Sequence, residues 1–275
     1  MIAEKKLPTI GFLGTGAIVR AMVDGFCQRA TDMPYPIVVS GRRAEAAKNI
    51  AEQYPSRVTA ACSMQECLDR SDWVVVAVLP QASEKVIRSL RFRENHKVIN
   101  VMFGESENDI RSWMNCSVEK IIHMTPGTFL ATYSGPIIQC PPDNEAEEIF
   151  SHIGKMIVVN DRYHAAVLET YAGLFAPIFA VMDRVIDWAV QEECVPEKAV
   201  TEYVTNMFAA VCQEACAKNH REVHYMATVS TPGGINMQAR ALLQDNNAFS
   251  PWHEVLPPLL ARTAAKISKE KTNRQ

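Results

Sequence analysis

Long apolar runs are missing from this sequence. No window holds the roughly 18 uninterrupted apolar residues of a membrane span, and the longest apolar stretch, residues 171–182, is about a dozen residues long. That length fits a buried helix better than a span. The charged first residues and the glycine-containing stretch after them do not form a secretory signal. We therefore expect a cytoplasmic protein with no membrane partner.

The sequence also lacks a strong charge imbalance and metal-type cysteine spacing. Its formal net charge is −3, which gives no electrostatic reason to expect a nucleic-acid partner. The eight cysteines are scattered. Cys212, Cys216 and His220 are spread along two helical turns, too far apart to surround one ion, and Cys62 and Cys67 have no second pair. We expect reduced thiols and no metal site.

The first half of the chain alternates strand-like and helix-like segments, which favours an α/β fold with a doubly wound, mostly parallel sheet of Rossmann type. The segment 73–78 is apolar throughout, as in a strand that is covered on both faces. The predicted strands are 10–13, 36–40, 58–61, 73–78, 97–101, 120–124 and 134–140.

The second half reads as all helical. The predicted helices are 162–193, 196–219, one from 221, and 251–271. We expect two domains, 1–160 and 161–275. A helix that is apolar on nearly all sides, as 171–190 is, must be buried on several sides. Interlocked helices of a homodimer, or of a higher homo-oligomer, would bury it, so the second domain is predicted to be a dimerisation domain.

The stretch "IGFLGTGAIVRAM" places two glycines between the first strand and the first helix. Gly14 permits a tight turn, and Gly16 lets backbone amides approach a pyrophosphate at the helix start formed by Ala17 and Ile18. Val19 stands where the third glycine of the dinucleotide fingerprint would be. The strand before the glycines and the helix after them favour a dinucleotide site over a bare turn.

The end of the second strand, "VVSGRR", favours NADPH over NADH. An NAD site needs an acidic side chain here for the ribose hydroxyl, and none occurs before Glu45. Ser40, Arg42 and Arg43 offer instead a hydroxyl and two guanidinium groups, which suit a 2′-phosphate. Further cofactor contacts are predicted at the end of the fourth strand and at a glycine after the next strand. These residues are Val78, Leu79, Pro80 and Gly104. The alternative for each is an ordinary turn residue without a ligand.

Five motifs, in order and spacing, resemble the pyrroline-5-carboxylate reductase family over essentially the whole chain: "IGFLGTGAIVRAMVDGF", "VSGRR", "AVLPQ", "VINVMFG" and "VSTPGGINMQA". The resemblance implies a Rossmann domain followed by a helical dimerisation domain. It also implies that NAD(P)H, here NADP(H), reduces a small cyclic imino acid to proline.

The residues on the substrate side depart from the family pattern. Leu79 stands where the family has lysine, and "TYAGLFAP" at 170–177 replaces a loop of small hydroxyl residues and glycines. Ile235 and Asn236 follow Pro-Gly-Gly where the family has small residues. We therefore expect an altered, bulkier and more apolar substrate pocket.

The reduction of an imine needs a proton source and a placed substrate. Tyr171 is the candidate acid, Asn236 would position or polarise the substrate nitrogen, and Thr231 is a third catalytic candidate. Candidate substrate-binding residues are Thr170, Ser230, Gly233 and Gly234. An aromatic residue on a buried helix is usually a core residue, which is the alternative for Tyr171, and the alternative for the glycines is a plain turn. We interpret His164 as a cap or surface residue and His123 as a packed strand-end residue.

Three functions stay open. The first is an NADPH-dependent reductase of a C=N bond. The second is a 3-hydroxyacid-dehydrogenase-like reductase, which would use a lysine on the long helix, although no lysine lies between Lys155 and Lys198. The third is a non-catalytic NADP-binding dimer that acts as a sensor or partner protein.

Overall fold

A computed structural model of the chain describes residues 7–41, 44–131, 135–229 and 231–265. Contacts divide the described chain into two units. One unit is Met1–Glu169 together with Thr263–Gln275, and the other is Thr170–Arg262.

The first unit is built on an eight-stranded sheet with the order β3-β2-β1-β4-β5-β6-β7-β8. All neighbouring strands are parallel except β6 and β7, which are antiparallel. The strands are β1 Ile10–Leu13, β2 Ile37–Ser40, β3 Val58–Ala60, β4 Trp73–Val76, β5 Lys97–Asn100, β6 Lys120–Thr125, β7 Pro136–Cys140 and β8 Lys155–Val158.

Helices connect these strands and cover the sheet. They are α1 Ala17–Gln28, α2 Ala44–Gln53, α3 Met64–Asp69, α4 Pro80–Ser89, α5 Glu107–Trp113, α6 Asn144–Ser151 and α7 Arg162–Thr170. Strands β1 and β4 are buried along their whole length, because helices cover both of their faces. On one face, Phe26, Trp73 and Phe150 pack edge to face.

The second unit is helical. Its helices are α8 Phe175–Gln191, α9 Glu197–Ala215, α10 His220–Thr228, α11 Ile235–Asp245, α12 Ser250–Glu254 and α13 Leu256–Thr263. The predicted fold class is therefore confirmed: a Rossmann-type doubly wound sheet precedes an all-helical region.

Two helical predictions are wrong in detail. The segment predicted as one helix over 162–193 is broken by a 3-10 turn at Tyr171–Leu174, so that α7 and α8 are separate. The predicted final helix is likewise divided at Val255 into α12 and α13. Apolar periodicity continues through both breaks, and for that reason the sequence pattern does not reveal them.

The stretch Arg162–Gln191 is long and apolar enough, by length and composition alone, to pass as a membrane span. This is weak support for a span, because the core helix of a globular protein passes the same test.

The expectation that 171–190 is buried on several sides is not met within one chain. Phe179 of α8 is 68 % exposed and Trp188 is 59 % exposed.

Candidate functional site

The turn from β1 into α1 requires glycine at position 14. Gly14 has φ +138°, and a Cβ atom built on it would lie 2.4 Å from the carbonyl oxygen of Ala77, at the end of β4. Its N–H donates to the carbonyl of Ser40, at the end of β2. The turn is thus fixed between the carboxyl ends of β2 and β4, the two strands on either side of β1.

The N-terminus of α1 is open. Gly16 is the N-cap and makes no side-chain cap, and a Cβ atom built on it would meet nothing within 4 Å. The first helical hydrogen bond runs from the N–H of Arg20 to the carbonyl of Gly16. The N–H groups of Ala17, Ile18 and Val19 therefore have no partner within the helix. With no acidic residue in the first turn, this end of α1 can hold an anion.

The side chain of Val19, at the third fingerprint position, is fully buried in the core. Ser40 is also buried, at the end of β2. The next residue, Gly41, lies so close to Thr15 that a Cβ atom on it would be 2.8 Å from the Thr15 hydroxyl oxygen. Arg42 and Arg43 lie outside the described residues, so their contact with a 2′-phosphate stays a prediction.

Two further segments end at the same sheet edge. Strand β4 ends at Val76, two residues earlier than predicted, and Val78 and Leu79 lead to Pro80, the first residue of α4. The side chain of Leu79 is 67 % exposed. After β5, Gly104 has φ +82°, and a Cβ atom on it would meet nothing within 4 Å. Both segments leave room for a ligand beside the backbone.

A buried polar cluster joins β6 to α7 in the same unit. Glu169 Oε1 accepts from His123 Nε2 at 2.6 Å, from Thr125 Oγ1 at 2.8 Å and from Arg162 Nη1 at 2.8 Å. Glu169 Oε2 accepts from Arg162 Nη2 at 3.0 Å. Glu169 and His123 are both buried. The carboxylate thus has a bidentate guanidinium partner and two further donors.

Protonation in this cluster follows from its contacts. Burial alone would raise the pKa of Glu169, but the hydrogen bond from His123 and the guanidinium of Arg162 outweigh it and hold that pKa at about 2. Burial lowers the pKa of His123, and the hydrogen bond that His123 donates to Glu169 opposes the shift only in part. The cluster therefore contains an ionised glutamate paired with arginine, and a neutral histidine that donates from Nε2.

Asn100 extends the cluster to the segment after β5. Its amide nitrogen lies 3.5 Å from His123 Nδ1 and donates to the carbonyl of Glu105 at 3.2 Å. Its amide oxygen accepts from the N–H of Met102 at 2.9 Å. Because Nε2 of His123 is the donor, Nδ1 is the acceptor that faces Asn100.

The predicted substrate-side residues lie at the end of α7 and in the helical unit. Thr170 is buried, and Tyr171, at the start of the 3-10 turn, is 47 % exposed. Ser230 lies outside the described residues. Thr231 accepts from the N–H of Gly234 through its carbonyl, and Gly233 between them has φ +74°. Pro-Gly at the centre of this turn is the type II pattern, and it brings the chain into α11.

The start of α11, like that of α1, has a glycine N-cap. Gly234 is the N-cap and has no side-chain cap. Asn236 and Arg240, one turn apart on α11, line an open groove of about 790 Å³ whose walls include Met226, Leu243 and Phe249. The groove combines apolar walls with an amide and a guanidinium group.

His164 and His123 have different environments. His164 is exposed, and its imidazole contacts Asp161, which also caps α7. This agrees with the surface interpretation. His123 packs at a strand end as predicted, but its partners Glu169, Arg162 and Asn100 were missed. Arg162 and Glu169 are seven residues apart, a spacing that places two side chains on one face of a helix. This spacing could have predicted their ion pair from the sequence.

The glycine turn, the open end of α1 and the order of the sheet together define a Rossmann-type dinucleotide-binding fold, followed here by a helical region. A family described as "NADP oxidoreductase coenzyme F420-dependent" matches residues 9–104.

Among curated proteins, the chain is similar to pyrroline-5-carboxylate reductase 2 of Bacillus subtilis, with 20 % identity over 95 % of each chain. Among solved structures, it is similar to a pyrroline-5-carboxylate reductase from Coxiella burnetii, with TM-score 0.80, 20 % identity and coverage of 95 % of this chain and 99 % of that one. It is also similar to a Plasmodium falciparum pyrroline carboxylate reductase with NADP bound, with TM-score 0.76, 15 % identity and coverage of 94 % and 98 %. At these identities the likeness shows the fold.

Proposed function

We propose that this protein is an NADPH-dependent oxidoreductase that reduces the C=N bond of a small cyclic imino acid, in the manner of a pyrroline-5-carboxylate reductase with an altered substrate pocket. The observation that carries the proposal is the open N-terminus of α1, behind a turn at Gly14 that only glycine can form. The NADP bound to the Plasmodium relative, which has the same fold, supports the choice of cofactor.

In this proposal the pyrophosphate lies at the N–H groups of Ala17 and Ile18, where the helix dipole favours an anion. The 2′-phosphate lies beside Ser40 with Arg42 and Arg43. The segment of Val78, Leu79 and Pro80 lines the middle of the cofactor, and the backbone at Gly104 faces its nicotinamide end. When bound, NADPH supplies the hydride.

For the substrate, we assign the carboxylate to the backbone N–H groups of Gly233 and Gly234, at the open start of α11. Asn236 orients the substrate nitrogen, and Tyr171 supplies the proton that this nitrogen gains as the hydride reaches carbon. Thr170, Ser230 and Thr231 complete the polar contacts.

We further propose a homodimer formed through the helical unit. Its support is the exposed apolar surface on α8, α9 and α10, where Phe179, Trp188, Tyr203, Val211 and Tyr225 are each more than half exposed. Large apolar patches of this kind on a single chain mark interaction surfaces.

The direct test follows nicotinamide absorbance while purified protein is mixed with NADPH or NADH and a panel of cyclic imines and keto acids. We expect loss of NADPH absorbance with cyclic imino acids, and weaker use of NADH. Turnover of 3-keto acids alone would favour the hydroxyacid dehydrogenase alternative. Tight NADPH binding without turnover would favour a non-catalytic NADP-binding protein.

A further inference from the structure

We propose that the buried cluster of Arg162, Glu169, His123 and Asn100 positions the segment 101–105, and that this segment orients the nicotinamide end of the cofactor. His123 is then a positioning residue, which acts through Asn100. The inference rests on the proposed NADPH binding and adds to it the groups that hold one wall of the site.

The cluster is held rigidly by its hydrogen bonds. Arg162 binds both carboxylate oxygens of Glu169, at 2.8 and 3.0 Å, and His123 and Thr125 donate to one of them. A buried carboxylate with this number of donors holds each donor in one geometry. The imidazole ring of His123 is therefore fixed in orientation and in tautomer, with Nδ1 facing Asn100.

Asn100 contacts the backbone near both ends of the segment. Its amide oxygen accepts from the N–H of Met102, and its amide nitrogen donates to the carbonyl of Glu105. The contact with His123 Nδ1 decides which side of the amide is the donor. With the amide in the opposite orientation, both backbone contacts would be lost.

Packing is incomplete in the middle of this segment, although Met102 and Glu105 are buried. A cavity of about 110 Å³ lies beside the cluster, and its lining includes Asn100, Glu105, His123 and Arg162. Side chains that border a cavity have fewer neighbours to restrain them. Phe103, in the middle of the segment, is 50 % exposed. The hydrogen bonds of Asn100 to Met102 and Glu105 are thus direct restraints on the backbone on either side of Gly104.

The segment lies where the nicotinamide end of the cofactor is expected. In a doubly wound sheet the dinucleotide lies across the carboxyl ends of the strands, with its pyrophosphate at the turn after β1. The predicted 2′-phosphate contacts follow β2, on one side of β1 in the sheet. The other half of the cofactor then extends over β4 and β5. The carboxyl end of β5 leads into the segment 101–105.

The experiment compares two ligands on the full-length protein. NADPH contains the nicotinamide, whereas 2′-phospho-ADP-ribose lacks it and keeps every other part. We expect His123→Ala to weaken NADPH binding about tenfold, which corresponds to roughly 1.4 kcal/mol, and to leave the binding of 2′-phospho-ADP-ribose unchanged. His123→Gln keeps a donor for Glu169 and is expected to restore most of the NADPH affinity and turnover.

Three controls make the outcome decisive. Thermal unfolding verifies that each variant folds. Thr125→Val removes one donor to Glu169 with little change of volume, and we expect a smaller loss of NADPH affinity in the same direction. Lys120→Met breaks an ion pair with Asp143 at the other end of β6 and is expected to change neither affinity.

Equal weakening of both ligands, or of neither, in folded His123→Ala protein would overturn the inference. An inactive His123→Gln variant that binds NADPH normally would also overturn it, because His123 would then transfer a proton itself. Failure of the wild-type protein to bind NADPH would refute the proposed function instead, so the two failures are distinguishable.

Discussion

At the residue scale, the two glycines of the β1–α1 turn have different physical reasons to be glycine. Gly14 combines a positive φ with a backbone oxygen 2.4 Å from the position of a Cβ atom. Gly16 has an ordinary φ of −75° and open space around it. Glycine is required at position 14 by the backbone conformation of the turn. At position 16 it is required by the pyrophosphate that we place beside it.

This contrast gives a matched pair of variants. We expect Gly14→Ala to destabilise the protein by roughly 2–4 kcal/mol, because the strained conformation and the contact with Ala77 must both be relieved. Gly16→Ala should lower stability by no more than about 1 kcal/mol, the usual range for alanine at an N-cap, yet weaken NADPH binding at least severalfold. Chemical denaturation and NADPH titration measure the two effects. Normal NADPH affinity in Gly16→Ala would contradict the placement of the pyrophosphate.

His96 makes stability depend on pH. It is fully buried, and burial lowers its pKa from 6.5 to about 4. Below pH 6.5 the unfolded chain takes up a proton on His96 that the folded protein does not. The free energy of unfolding therefore decreases as the pH falls from about 7 towards 4. The loss is about 2 kcal/mol at pH 5.

His96→Asn keeps an acceptor for the N–H of Arg93 and removes the titrating group. We expect the difference in unfolding free energy between pH 7.5 and pH 5 to shrink in this variant. Part of the difference should persist, because burial lowers the pKa of His123 in the same direction. An unchanged difference would show that the proton uptake of the unfolded chain lies elsewhere.

At the element scale, the sequence predicted the buried parallel strands well, because β1, β2 and β4 are short apolar runs followed by glycine or proline. Strand β8 was missed although the apolar residues 156–159 lie between Gly154 and Asn160; it is a short, partly exposed edge strand. The 3-10 turn at Tyr171–Leu174 was missed because the apolar pattern continues across it. The partners of His123 were missed because they come from separate elements, β5 and α7, which only tertiary structure brings together.

The start of α5 offers a test at this scale. Ser106 and Asp109 form a reciprocal capping box, directly after the segment 101–105. We expect Ser106→Ala to lower the unfolding free energy by about 1 kcal/mol. Ser112→Ala in the same helix removes only a hydroxyl bonded to a carbonyl within the helix, and should be near neutral. Equal effects of the two substitutions in chemical denaturation would contradict the capping argument.

At the scale of the whole molecule, the exposed apolar face of the helical unit predicts self-association. Phe179 and Trp188 lie on α8 and are more than half exposed in one chain. We expect light scattering to give the mass of a dimer or a larger assembly, and Phe179→Arg to shift it towards the monomer. Glu52→Arg, on the exposed surface of α2, is the control. A monomeric wild-type protein at micromolar concentration would contradict the proposed dimer.

The proposed reduction is tested most directly by transfer of deuteride to a cyclic imino acid from NADPH that carries deuterium at both positions of C4 of its dihydronicotinamide ring. If the protein reduces a C=N bond, the amine product gains one deuterium at the former imine carbon, and mass spectrometry detects it. The same reaction with Gly16→Ala protein should form much less labelled product. Bound NADPH with no labelled amine from any cyclic imine tested would contradict the account.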